Sequence, residues 1–265
     1  MNKIIEYPLR VQSFIAKSTT LSRRKAESAI IEKRVEIESN GLLRLAVLGD
    51  KVEANDKVYL DKERLFISKK SVVYMLNKPK GVLCSDSDPF SMHLAKDYIH
   101  TADHDFLFSV GRLDKDSQGL ILFTNDGDLA NKIIHPSKKI EKVYTVKVDE
   151  KLSKAHFEKM QQGIEVLNEK TNQNELLKIK RFSIMTSHWV EVAIESGKNR
   201  EIRRLFEHFN YTIKTLLRIK IGNLDIGDLK PGEYKKLNGD DIKKIFEGNN
   251  LQKITHIVNR TYQDL

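Results

Sequence analysis

Apolar positions near the start of the chain keep a helical period through two stripes and then change to alternation. Val11, Phe14 and Ile15 recur at helical spacing, and Ala26, Ala29 and Ile30 form a second stripe of the same kind, with Ser22 placed to cap it. Val35 and Ile37 then alternate with Glu36 and Glu38, which predicts a strand, and Asp50 to Leu60 carries further short strands. Two helices and a small sheet make a compact first module, and the short charged stretch from Lys62 to Ser71 reads as a hinge. Beyond it VVYML, LILF, Tyr144 to Val148 and His188 to Ile194 predict strands, the last with Val190, Val192 and Ile194 on one face. Leu129 to Ile134 predicts a helix stopped by Pro136, and Asn199 to Phe209 a helix with Ile202, Leu205, Phe206 and Phe209 inward. The expected class is α+β, divided as residues 1–66, 67–248 and a tail, 249–265, in which no pattern is legible. No internal repeat or low-complexity tract appears.

Composition narrows the function classes. The 265 residues carry a formal net charge of +9, which points to a polyanionic partner or an acidic surface. No apolar run approaches the ~20 residues that span a bilayer, and the start, MNKIIEYPLR, lacks a signal-peptide core, so a cytoplasmic protein is expected. The single cysteine, Cys84, excludes an internal disulfide and any multi-cysteine zinc site, and reads as an inert residue near a strand end. Only His100 and His104, in HTADH, have metal-like spacing, and no third ligand accompanies them. The sequence contains no GxxxxGK[ST], GxGxxG or HExxH, so neither a cofactor nor a metal is expected.

Candidate chemistry concentrates in GRLDKDSQGL, Gly111 to Leu120, a polar stretch between two apolar runs. Asp114, flanked by Arg112 and Lys115, sits where burial and neighbouring cations tune a carboxylate. By itself the pattern also suits a solvated turn ending at Gly119. A calcium loop is a second alternative: Asp114, Asp116, Gln118 and Gly119 fall at its first, third, fifth and sixth positions, but Asn125 stands at the twelfth and the flank LILF reads as strand.

GRLDKDSQGLILFTNDG closely resembles the catalytic motif of RNA pseudouridine synthases of the RsuA/RluB/RluE/RluF family, in which GRLD holds the essential aspartate. Four further pieces follow in family order: NKPKGV (Asn77 to Val82), IEKVYTV (Ile140 to Val146), ESGKNREIRRL (Glu195 to Leu205) and LLRIKIG (Leu216 to Gly222). KDSQGL and LFEHF bring the chain nearest the RluF-like branch. The resemblance implies a mixed, largely antiparallel sheet flanked by helices, with Asp114, Tyr144 and Arg203 as catalytic residues. It makes Tyr144, otherwise a core tyrosine by its alternation with Val146 and Val148, the ring that packs on the target base. It also makes Leu217 a pocket residue. Arg112, Leu113, Lys142, Arg200 and Arg218 complete the substrate-binding set expected here. One departure is visible: Glu201 stands where the family commonly has Gln.

LSRRKAESAIIEKRV resembles the S4 (α-L) RNA-binding domain, a frequent N-terminal companion of this synthase family. Arg10, Arg23, Arg24, Lys25 and Arg34 are therefore expected to contact RNA, the cations crowding a helix start where the macrodipole disfavours them. Two departures stand out: the usual Gly before Arg-Val is Lys33, and SNGLLRLAVLGD looks longer or more irregular than the usual hairpin. The combined expectation is an isomerase acting on structured ribosomal RNA, large-subunit rRNA first, as a monomer without membrane or small-molecule partner. The rival from another class is a catalytically silent S4-type RNA-binding or ribosome-assembly protein.

Overall fold

The computed structural model describes residues 6–67, 71–85, 93–168 and 171–247. The chain divides into two compact units, Met1–Val72 with Ala102–Leu107, and Val73–Thr101 with Phe108–Leu265.

The first unit contains β1 (Leu9–Arg10), α1 (Val11–Ser18), α2 (Arg23–Ile31), β2 (Val35–Ser39), β3 (Leu42–Leu45), β4 (Lys51–Val52), β5 (Lys57–Leu60) and β6 (Glu63–Arg64). Strands β3-β2-β5-β6 form an antiparallel sheet and β1 pairs with β4. The two apolar stripes of the helices meet Val35, Ile37 and Val58 in one core. Ser22 caps α2, its hydroxyl accepting from the Lys25 amide at 3.2 Å. The helix ends in a Schellman motif: Lys33 takes φ 59°, its amide donates to Ile30, and the Arg34 amide donates to Ala29. A lysine thus occupies a left-handed position that relaxes only glycine, a strain of about 1–2 kcal/mol. Asn40 and Gly41, both at positive φ, make the two-residue turn joining β2 to β3. Within SNGLLRLAVLGD, expected to be longer or more irregular than the usual hairpin, the Asn40-Gly41 turn is thus regular, while AVLGD runs as loop and turn between β3 and β4. The sheet also extends into the stretch read as a hinge, because Glu63–Arg64 pairs with β5. Residues 68–70 of that stretch and the tail read at 249–265 lie outside the described residues.

The second unit contains β7 (Val73–Lys78), β8 (Phe108–Ser109), β9 (Gln118–Thr124), α3 (Gly127–Ile134), β10 (Lys142–Val148), α4 (Lys154–Gln162), β11 (Ile164–Asn168), β12 (Gln173–Leu177), β13 (Arg181–Ile184), β14 (Trp189–Ile194), α5 (Glu201–His208), β15 (Ile213–Ile221), β16 (Leu224–Asp225), β17 (Tyr234–Lys236) and α6 (Gly239–Phe246). Its sheet runs β13-β14-β10-β15-β9-β7-β17, with β16 on β15 and β8 on β9. Only β15 and β9 pair in parallel, so the sheet is mixed and largely antiparallel. One core packs Ala130 and Ile133 of α3 and Ile245 of α6 against Val73, Met75, Leu120 and Leu122. A second joins α4 and α5 to β13 through the rings of Phe157, Phe206 and Phe182. Phe209, expected inward, is only half-buried and stacks on His156 at 4.6 Å.

Two local irregularities position the site. Gly119, at φ 102°, lies so close to β15 that an added Cβ would collide with the backbone of Arg218. Only glycine lets the two parallel strands approach there. On β15, Ile219 is an extra residue: Val143 faces Lys220 while Tyr144 faces Arg218. This bulge sets Tyr144 and Arg218 side by side.

Candidate active site

The Asp114 loop is held from below by a buried lysine. Lys78, at the end of β7, is fully buried, and its ammonium donates to the carbonyls of Pro79 and Val82, both at 2.8 Å, and of Lys115 at 3.3 Å. The Gly81 amide donates to the same Lys115 carbonyl at 2.9 Å. Within the loop the Ser117 amide donates to the Asp114 carbonyl at 3.0 Å, closing a turn that leaves the Asp114 side chain about one-third exposed. Burial holds the Lys78 ammonium below the ordinary lysine range, with Asp116 and Asp114 opposing. NKPKGV thus braces the loop, a role its sequence did not suggest.

Arg203 comes to this loop from α5. Its Nε lies 3.9 Å from Asp114 Oδ2, and its Nη2 donates to the buried Ser117 hydroxyl at 3.4 Å. Nε is buried without a hydrogen-bond partner, so the guanidinium is oriented toward the carboxylate yet not saturated by it. Burial, then Arg200, lowers its pKa, with Asp114 opposing. The start of α5 is set by Glu201, which is buried and accepts from the Ser196 hydroxyl at 2.5 Å and the Lys198 amide at 3.2 Å. Those bonds close the turn that carries Lys198 and Arg200 before the helix begins, and burial pushes the Glu201 carboxyl above the usual carboxylate range. The residue in place of the common Gln therefore bonds Ser196 and Lys198, not Arg203.

Strands β10 and β15 form the opposite wall. Tyr144 is 8% exposed, and its hydroxyl accepts from Arg218 Nη1 at 3.4 Å. Arg218 is buried as well: its Nε donates to the Leu120 carbonyl at 2.6 Å, and its Nη2 has no partner. It is therefore a residue of the cleft wall. Lys142 donates to the Glu195 carbonyl at 3.4 Å, and burial together with Arg218 holds its ammonium below the ordinary range.

Arg112, Leu113, Asp114, Lys142, Tyr144, Arg200, Arg203 and Arg218 all line one cleft of about 780 Å³. Leu217 does not: alternation along β15 puts Leu216 on the cleft face with Arg218, and Leu217 on the other. Cys84 also lines the cleft, where burial pushes its thiol up and the Leu113 amide bonds its sulfur. Gln118 and Gly119 open β9, so the calcium-loop alternative lacks its geometry, and among the described residues no three His, Cys, Asp or Glu gather as metal ligands. In the first unit Arg10, Arg23, Arg24 and Lys25 are exposed, whereas Arg34 is gripped by both oxygens of Asp61 at 2.8 and 2.6 Å and by Glu32 at 3.1 Å. Arg34 is thus already neutralised within the fold.

Comparisons with known proteins agree with this geometry. Residues 72–208 match the family model described as RNA pseudouridylate synthase. The chain is 36% identical over 231 residues to an uncharacterized RNA pseudouridine synthase of Borreliella burgdorferi, covering 85% of this chain and 88% of that one. It is 32% identical to the dual-specificity RNA pseudouridine synthase RluF of Escherichia coli, over 90% of this chain and 79% of that one. It is 31% identical to the ribosomal large subunit pseudouridine synthase B of Haemophilus influenzae, over 90% and 67%. A crystal structure of a pseudouridylate synthase superposes with a TM-score of 0.64 at 29% identity, over 89% of this chain and 99% of that chain. With the motifs in order, the cleft built from them and relatives matched along most of their length, the chain belongs to the RNA pseudouridylate synthase family.

Proposed function

We propose that the chain isomerises a specific uridine of structured ribosomal RNA, in the large subunit, with Asp114 as the catalytic carboxylate. The observation that carries this reading is the placement of Asp114 Oδ2 at 3.9 Å from the buried Arg203 Nε, in the cleft that Tyr144 also lines. Pseudouridine formation breaks the C1′–N1 bond, turns the uracil, and joins C5 to C1′ with loss of the C5 proton. Uracil leaves as a stabilised anion, so the paired acid of an ordinary glycosidase is not required. Asp114 either attacks the sugar or stabilises charge developing there. Arg203, a permanent cation with a planar fork, supplies the counter-charge that keeps this carboxylate placed. The Tyr144 ring packs on the target base, recovering about 1–3 kcal/mol of what unstacking costs. Leu113, Lys142, Arg112 and Arg200 hold the flipped nucleotide.

The rRNA assignment is supported by the relatives named as ribosomal large subunit pseudouridine synthases. The first unit serves as the S4-type RNA-binding module, with Arg23, Arg24 and Lys25 of α2 exposed and free of ion pairs among the described residues. Action in the cytoplasm and as a monomer belongs to the same proposal. Separately, no helix among the described residues is long and apolar enough to cross a membrane. The test is tritium release from rRNA transcripts labelled at C5 of uridine. Wild type releases tritium, and Asp114→Asn does not while binding RNA within a few fold, because phosphate contacts carry most of the affinity. Turnover by Asp114→Asn within tenfold of wild type removes Asp114 from its role. No release by wild type favours the silent RNA-binding rival.

A further inference from the structure

Beside the catalytic cleft lies a smaller groove, about 320 Å³, that shares Pro136 and Ser196 with it. One bank is the turn ending in Lys139, and the other is the segment Lys178 to Lys180 ahead of β13. Glu195 is its single acidic residue, and it is taken by Lys180 at 3.1 Å. Neither Lys139 nor Lys178 has an ion pair among the described residues. Two exposed cations thus share a concavity that the protein does not neutralise.

The backbone adds an independent observation. Lys139 takes φ 48°, and so does Arg200 on the wall of the cleft. Glycine or asparagine occupies that region with least strain, and other side chains there are strained. The turn after Pro136 needs a left-handed residue but does not need a cation. No aromatic ring lines the groove, so it suits an anionic backbone better than a stacked base. When a uridine leaves its strand to enter the cleft, the chain on either side must leave through an opening beside it.

We propose that the groove walled by Lys139, Lys178 and Lys180 is a second RNA subsite, which takes the phosphodiester backbone of nucleotides flanking the target uridine. It rests on the isomerase reading above and adds to it the path of the substrate strand. The groove's residues touch phosphate, not the reacting base, so they act on affinity and its salt dependence.

The test is fluorescence anisotropy of a labelled oligouridylate binding to the full chain across a salt series. The variant is Lys139→Asn with Lys178→Ala, asparagine being chosen because it tolerates the left-handed backbone. The control, Lys151→Ala with Lys243→Ala, removes the same charge from exposed positions outside the groove. The expected result is a plot of log affinity against log salt flattened by about 0.7 for each phosphate released, so about 1.4 for the pair, with the control at the wild-type slope. Lys139→Arg with Lys178→Arg should retain the slope. The proposal is overturned if the variant and the control bind alike, or if the arginine pair behaves like the neutral one. Absence of tritium release from wild type would sink the isomerase reading alone, since the slope is read without turnover.

Discussion

Replacing Lys78 by methionine tests whether a buried ammonium holds the Asp114 loop. The substitution keeps the approximate volume and removes three donors. The Lys115 carbonyl still accepts from Gly81, so two carbonyls, Pro79 and Val82, are deprived of the bond Lys78 gave them. Each unsatisfied buried acceptor costs about 1–3 kcal/mol, or about 2–6 kcal/mol for the two. Against this stands the relief of a buried charge that is already held below its ordinary pKa by desolvation, so a net loss of about 2–4 kcal/mol is expected. Trp189, the only tryptophan of the chain, lies on β14 in the same sheet, so its fluorescence during denaturation reports this unit. Loosening the loop should also move Asp114 away from Arg203. A displacement near 1 Å costs about a hundredfold in rate, so the single-turnover rate should drop by about ten- to a hundredfold with RNA affinity nearly unchanged. A variant that unfolds within about 0.5 kcal/mol of wild type and turns over normally would refute the bracing role.

Gly119→Ala should destabilise the second unit by about 3 kcal/mol or more, because a Cβ meets the Arg218 backbone at a positive φ; a normal unfolding midpoint would remove the close approach as the reason for glycine. Glu201→Gln keeps acceptors and donors for Ser196 and Lys198 while removing a charge that burial disfavours. Since the folded pKa of Glu201 is raised, its contribution is most favourable below the unfolded value and is lost as pH rises through the folded one. The stability gap in favour of Gln should therefore open with rising pH above about 4.5, and a pH-independent gap would contradict the assignment. Arg23→Ala with Arg24→Ala should flatten the salt dependence of RNA binding by about 0.7–0.9 for each phosphate no longer neutralised, with the single-turnover rate at saturating RNA little changed. An unaltered slope would make α2 an ordinary solvated face.

Periodicity is sufficient for elements whose stability is local. The stripes of α1 and α2, the Ser22 cap, the alternation of β14 and the stop at Pro136 each depend on neighbours a few residues away, and each is present in the fold. The five ordered motifs carry the family, and the residues they name gather in one cleft with the exception of Leu217. Strands β12 (QNELL) and β17 (YKK) have too little apolar alternation to be legible, whereas Ile164-Glu165-Val166 of β11 and Arg181-Phe182-Ser183-Ile184 of β13 carry an alternation that is absent from the strands expected above. The Asn40-Gly41 dipeptide, by contrast, is by itself a signal for the two-residue turn that makes SNGLLRL regular.

What only the tertiary structure decided was the partner of each charge and the face of each strand. Lys78 and Arg218 look like surface cations in sequence, yet both are buried: Lys78 bonds the carbonyls of its own loop, Pro79 and Val82, together with Lys115 from a distant segment, and Arg218 bonds the distant Leu120 carbonyl. Arg34 looks like an RNA contact, yet Asp61, far along the chain, closes on it. Leu216 replaces Leu217 in the cleft because a strand's period of two fixes which residues share a face but not which face meets the site. The bulge at Ile219 and the parallel approach at Gly119 made that choice, and both belong to pairings between strands that lie far apart in sequence.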